Sequence, residues 1–195
     1  MKIAIIDYGA GNVKSVLFAL ERIGYKGLVT DKISEIITAD KIIFPGVGEA
    51  GSAMKTLREK ELDTLIPKLK QDVLGICLGM QLMCEYSEEG KTEGMGIFTG
   101  HARKFPKPLK IPHVGWNQIQ HLKTNLFSKI PEESYGYFVH SFYIPLSDCT
   151  IAQTDYSFPF SAALAKDNFY GCQFHPEKSS GIGEQILRNF LKLGK

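Results

Sequence analysis

Cys77 lies in the run Gly75-Ile76-Cys77-Leu78-Gly79-Met80-Gln81, where an apolar strand-like segment meets an amphipathic helix-like one. A nucleophile on a small-residue turn between strand and helix is lifted to the top of an α/β sheet. The flanking glycines keep Cβ atoms out of a tight turn and let a substrate approach the backbone. Such a turn also puts the sulfur at the positive end of a helix dipole, where the reactive anion is favoured. A buried structural cysteine is the alternative, since free cysteines are among the most buried residues. The distant segment Gln173-Phe174-His175-Pro176-Glu177 weighs against it. His175 follows a strand-like run, and in extended backbone side chains i and i+2 share a side, which makes Glu177 its neighbour. Pro176 fixes its own φ and keeps His175 extended. A carboxylate sets an imidazole's tautomer and leaves the other ring nitrogen for a nucleophile. A lone His-x-Glu is more often a surface pair; with Cys77 it completes a Cys-His-Glu set suited to acyl transfer.

The elements that must position these groups are written in the hydrophobic pattern. Strand-like runs at Lys2 to Asp7, Gly27 to Thr30, Asp40 to Phe44 and Val73 to Cys77 alternate with helical signal. Asn12 caps a helix whose apolar positions Val13, Val16, Leu17, Leu20 and Ile23 follow 3.6-residue spacing, and Gly24 stops it. Further helices are expected over Met54 to Leu69, with a break near Lys60, over Leu78 to Tyr86, and over Ile182 to Leu193. Such alternation implies a parallel sheet covered on both faces, with ligands at the C-terminal strand ends. Gly9 to Asn12, Pro45 to Gly48 and the Cys77 turn all fall there. The second half instead carries short strands near His101 to Phe105, Asn117 to His121, Tyr137 to Tyr143 and Ile151 to Gln153, and a hairpin turning at Lys166 to Phe169. The expected architecture is α/β: a flavodoxin-like, open, mostly parallel central sheet with helices on both faces, and an added antiparallel strand region in the C-terminal half.

With 195 residues the chain suits one compact domain, 1–195. A formal net charge of +2 and 23% charged residues give no reason to expect a nucleic-acid or membrane surface. Cys77, Cys84, Cys149 and Cys172 have no CxxC pairing or metal-ligand spacing, so no metal and no disulfide is expected. The last three read as small apolar residues. The first apolar run is too short for a signal peptide, and no stretch has transmembrane length, so a reduced cytoplasmic protein is the default.

The cysteine turn together with His175-Pro176-Glu177 resembles the class I (triad) glutamine amidotransferases, with Pro45-Gly46-Val47-Gly48 at the position of their oxyanion strand. Asp7-Tyr8-Gly9-Ala10-Gly11-Asn12 and Pro112-His113-Val114-Gly115-Trp116-Asn117 look like the histidine-biosynthesis branch of that family. The likeness spans essentially the whole chain. It implies a cofactor-free enzyme in which Cys77 attacks the carboxamide of L-glutamine, His175 shuttles protons and Glu177 orients His175. It further implies oxyanion donors at the backbone N–H of Leu78 and of Val47, a strand misoriented until the partner enzyme binds its substrate.

The same resemblance implies that Gln81, Glu89, Gly48 and the His140-Ser141-Phe142 segment hold the substrate. For Gln81 an exposed helix position, and for Glu89 a solvated loop charge, are the plain alternatives. Asn12, Trp116, Asn117 and, more weakly, Tyr137 would face a separate (β/α)8 cyclase subunit in a heterodimer. That subunit takes up the ammonia and makes imidazole glycerol phosphate and aminoimidazole carboxamide ribotide. Ammonia delivered as a neutral molecule needs a dry route, and 195 residues leave no room for a synthase domain. Phe142 departs from a frequent tyrosine and Gly181 from a frequent lysine. Rival readings are a paralogue supplying ammonia for amidino-sugar synthesis, a γ-glutamyl hydrolase without channelling, and a non-catalytic regulatory subunit.

Overall fold

A computed structural model describes residues 1–9 and 11–194; Ala10, within the glycine-containing motif after the first strand run, and Lys195 lie outside the described residues. The apolar runs become strands and the 3.6-residue patterns become helices in the order β1 (Ile3–Ile6), α1 (Val13–Arg22), β2 (Gly27–Thr30), α2 (Ile33–Ile37), β3 (Lys41–Gly46), α3 (Ala50–Glu59), α4 (Leu62–Leu65), β4 (Asp72–Cys77) and α5 (Leu78–Leu82). The second half follows with β5 (Cys84–Ser87), β6 (Thr92–Glu93), β7 (Phe98–Lys104), β8 (His113–Ile119), β9 (Ser134–His140), β10 (Phe142–Tyr143), β11 (Thr150–Asp155), β12 (Pro159–Lys166), β13 (Phe169–Cys172) and α6 (Ser180–Lys192).

The central sheet has seven strands in the order β11-β12-β13-β4-β3-β1-β2. From β2 to β13 every pairing is parallel, and β12 and β11 extend the sheet antiparallel. The parallel strands, taken in chain order, run 2-1-3-4-5, the flavodoxin-like winding. Buried side chains form two clusters, one involving α3 and α4 and the other α1 and α6, as a doubly covered sheet requires. A four-strand sheet (β10-β7-β5-β6) and the β8–β9 hairpin supply the expected antiparallel region. Among the described residues, no helix is long and apolar enough to cross a membrane.

Two helix expectations need correction. The run expected over Met54 to Leu69 starts earlier, at Ala50, where the Glu49 carboxylate caps the N–H groups of Gly51 and Ser52; its break falls near Lys60 as expected, at Glu61, whose φ is 57°. The helix expected to reach Tyr86 ends at Leu82, and Cys84–Ser87 pair with β6 and β7. A short apolar run does not distinguish helix from strand by periodicity. Here pairing with β6 and β7, the next strands along the chain, decides it. The five-residue α2 was not anticipated, being too short to show a period.

Candidate active site

Cys77 ends β4 and opens α5 with φ 52° and ψ −109°. A non-glycine residue held in such a sparsely populated region costs about 1–3 kcal/mol, so its surroundings must impose it. They do so by backbone contact. A Cβ on Gly79 would lie 2.0 Å from the Phe44 carbonyl oxygen, and one on Gly46 2.2 Å from the Gly79 nitrogen. The end of β3 therefore presses on the first turn of α5, and only glycines permit it. Because α5 is five residues long, this enforced turn, more than a long helix dipole, distinguishes the sulfur.

His175 and Glu177 are both buried, and the imidazole Nδ1 lies 2.7 Å from Glu177 Oε1. The expected neighbour relation holds, but by another route. His175 is extended (φ −98°, ψ 96°), and Pro176–Lys178 then forms a 3-10 turn that swings the carboxylate back to the ring. Ser179 Oγ donates to the His175 carbonyl (2.6 Å) and accepts from the Tyr137 N–H (2.9 Å), while the His175 N–H donates to the Tyr137 carbonyl (2.8 Å). The base is thus stitched to β9. Its Nε2 has no hydrogen-bond partner among the described residues. Burial pushes the His175 pKa down, but the Cys77 sulfur and the Glu177 carboxylate outweigh burial and raise it to about 10.

Cys77 and His175 open onto one cleft of about 290 Å³. Its walls include Val47 and Leu78, the expected oxyanion donors, and every expected glutamine contact: Gly48, Gln81, Glu89, His140, Ser141 and Phe142. Gln81 is buried rather than exposed. Its Nε2 donates to the Phe142 carbonyl (3.0 Å) and to Gln173 Oε1 (2.9 Å). Glu89 Oε2 accepts from the Ala50 N–H at 2.9 Å; burial raises its pKa, the Ala50 bond opposes that, and Glu49 adds to it.

Two residues of the site escaped sequence reasoning. Gln173, fully buried, lies with Nε2 3.7 Å from Cys77 Sγ and links the nucleophile to Gln81. Tyr8, also buried, donates its hydroxyl to the Pro45 carbonyl at 2.9 Å and so tethers the strand that carries Val47. A polar side chain inside an apolar strand run was the available signal for Gln173; nothing local marked Tyr8. Among the described residues no cluster of three His, Cys, Asp or Glu could hold a metal ion.

The expected interface residues separate. Side chains alternate along the β8–β9 hairpin. His113, Ile119, Phe138 and His140 are buried, whereas Val114, Trp116 and Tyr135 are exposed, Trp116 by 53%. Trp116 meets Tyr137 edge-on, with ring centroids 5.8 Å apart. Asn117 instead turns its amide inward, to the Asp155 carbonyl (2.8 Å) and the Gln118 N–H (2.9 Å). Asn12 caps α1 by accepting from the Ser15 N–H. At Gly181 a Cβ would meet open space.

Comparison with known proteins agrees with this geometry. The family profile described as glutamine amidotransferase class-I matches residues 4–193. The chain is 53% identical to imidazole glycerol phosphate synthase subunit HisH of Bacteroides fragilis, covering 99% of this chain and 100% of that one. It is 48% identical to the subunit of the same name from Colwellia psychrerythraea, over 98% and 93% of the two chains. A crystal structure of a glutamine amidotransferase superposes with a TM-score of 0.77 at 15% identity, over 98% and 97% of the chains, and so shares the fold. A strained nucleophile turn, a histidine opening on the same cleft with a glutamate bonded behind it, and a family match over nearly the full length agree: this chain belongs to the class-I glutamine amidotransferases.

Proposed function

We propose that this chain is the glutaminase subunit of an imidazole glycerol phosphate synthase, a single domain over residues 1–195 that works in the cytoplasm as a heterodimer with a (β/α)8 cyclase subunit. The observation that carries this reading is the strained Cys77 turn sharing a cleft with His175, whose second nitrogen is held by Glu177. The Cys77 sulfur attacks the γ-carbonyl of glutamine, and the oxyanion is received by the backbone N–H groups of Leu78 and Val47. His175 passes a proton to the departing ammonia and then takes one from the water that cleaves the γ-glutamyl thioester. Glu177 keeps the imidazole in one tautomer throughout. Glu89 meets the substrate's α-ammonium, Gln81 and the His140–Phe142 segment complete the pocket, and Gly48 lets the substrate pass close to the backbone.

The exposed apolar face of the hairpin, Val114, Trp116 and Tyr135, beside half-buried Tyr137, supports a docking role for the partner subunit. It would seal the route by which ammonia leaves. Cys77→Ala should lower glutamine-dependent synthesis by about ten-thousand-fold or more while leaving ammonium-dependent synthesis by the reconstituted heterodimer intact. Loss of both would point to failed assembly, and retention of glutamine use would overturn the assignment of the nucleophile.

A further inference from the structure

His113 takes no part in the chemistry above and His140 enters it only as part of the pocket wall, yet both side chains are buried within a cage of aromatic rings. His113 stacks on Tyr156 (4.3 Å between centroids) and Phe138 (5.2 Å), and Phe105 lies 5.3 Å from His140. Their hydrogen bonds form a line. Asn117 Nδ2 is 3.4 Å from His113 Nε2, His113 Nδ1 is 3.0 Å from His140 Nε2, and His140 Nδ1 is 2.7 Å from the Phe142 carbonyl oxygen.

With both rings neutral, as their burial favours, only one direction of donation satisfies this line. The Phe142 oxygen can only accept, so His140 carries its proton on Nδ1 and must accept at Nε2. His113 therefore donates from Nδ1 and accepts at Nε2. At the far end the Asn117 amide is oriented independently, because Nδ2 donates to the Asp155 carbonyl and Oδ1 accepts from the Gln118 N–H. Both ends are thus set by backbone groups, and both imidazoles are held neutral in the Nδ1–H form. Burial supports this: it lowers the pKa of His113 and brings that of His140 down to about 3.

The Phe142 carbonyl, where the line ends, has a second donor. The same carbonyl accepts from Gln81 Nε2, which also donates to Gln173 Oε1, and Gln173 Nε2 approaches the Cys77 sulfur. We propose that His113 and His140 are positioning residues for glutamine: a one-way hydrogen-bonded line from Asn117 that fixes the Phe142 carbonyl and, through it, the Gln81 carboxamide on the cleft wall. This rests on the reading of the cleft as a glutamine site. Because the line ends on a backbone carbonyl, it is unaffected by phenylalanine standing at 142 in place of tyrosine.

Two substitutions separate hydrogen bonding from packing. His113→Phe keeps an aromatic ring against Tyr156 and Phe138 but removes the donor to His140. His113→Asn removes the ring yet places an amide N–H near the position of Nδ1. Glutamine is titrated by NMR into the Cys77→Ala chain and into the same chain carrying each change. Glutamine Kd should rise about tenfold with His113→Phe and stay within about twofold with His113→Asn, although the latter melts at a lower temperature. Unchanged binding by His113→Phe, or affinity that follows melting temperature instead of the donor, would overturn the proposal while leaving the glutamine site standing. Failure of the Cys77→Ala chain itself to bind glutamine would remove both. The imidazole nitrogen shifts of the unsubstituted chain at neutral pH give an independent reading: both rings protonated at Nδ1 is expected, and an Nε2–H form of either contradicts the line.

Discussion

The nucleophile and the base come from two regions built on different principles. Cys77 belongs to the parallel half, where β3, β4 and α5 meet backbone to backbone and glycines at 46 and 79 remove the side chains that would keep them apart. His175 lies past β13, where the parallel strands meet the antiparallel ones, and is held by hydrogen bonds through the side chains of Ser179 and Glu177 and the backbone of Tyr137. A strained residue is kept in place by contacts that cannot yield. A proton carrier is held by directional bonds that define its tautomer and leave one nitrogen free. The first arrangement is sensitive to volume, the second to the identity of donors and acceptors.

That contrast can be broken from either side. Gly79→Ala drives a methyl group into the Phe44 carbonyl, so the chain should lose about 3 kcal/mol of stability, or fail to fold, in denaturant titration. A loss below half that would mean the turn relaxes easily and Cys77 is not held by close packing. Glu177→Gln changes little volume and should cost less stability than Gly79→Ala, losing near neutral pH only the part of the His175 pairing that the carboxylate charge supplies. It should nevertheless lower kcat about a hundredfold, because the imidazole loses its orienting charge.

The same pair has a pH signature. The folded pKa of His175 is raised from 6.5 to about 10, so its contribution to stability is complete below pH 6.5 and disappears as pH rises through about 10. Glu177→Gln should move that alkaline loss toward neutrality, as read by thermal melts across pH. An unmoved limit would remove Glu177 as a cause.

Smaller effects sharpen the comparison at its edges. Trp116→Ala, on the exposed face of the hairpin, should weaken association with the cyclase subunit by about 2 kcal/mol in a binding titration and leave the melting temperature of the chain alone unchanged. Tyr8→Phe removes one buried hydrogen bond from the oxyanion strand and should cost about 1 kcal/mol in denaturant unfolding. Unaltered stability there would mean the strand is held by packing alone.

Much of this was readable from residue pattern. The β–α alternation up to Cys77 follows from apolar runs separated by 3.6-residue periodicity, and such runs must be covered on both faces. Cys84 to Tyr86 misled because a short, largely apolar run continuing from Leu78 fits a helix as well as a strand, and pairing with β6 and β7, the next strands along the chain, chose between them. Within the site, Cys77, His175 and Glu177 carried a motif; the cleft gathers the first two with Val47, Gln81 and Glu89, and Glu177 is bonded to the His175 ring. Gln173, Tyr8, His113 and His140 carried little, because each acquires meaning from a partner tens of residues away.

By itself, then, the sequence determined which chemistry is available and which end of the sheet would carry it, since residue type and local spacing act over a few positions. Tertiary structure alone decided how the parts are held. The 3-10 turn returning Glu177 to the ring, the glycine contacts forcing Cys77 into its conformation, and the directed line from Asn117 to the Phe142 carbonyl, on which Gln81 also donates, all depend on approaches between distant segments. Those approaches arise only when burial of the two core faces brings the strands together.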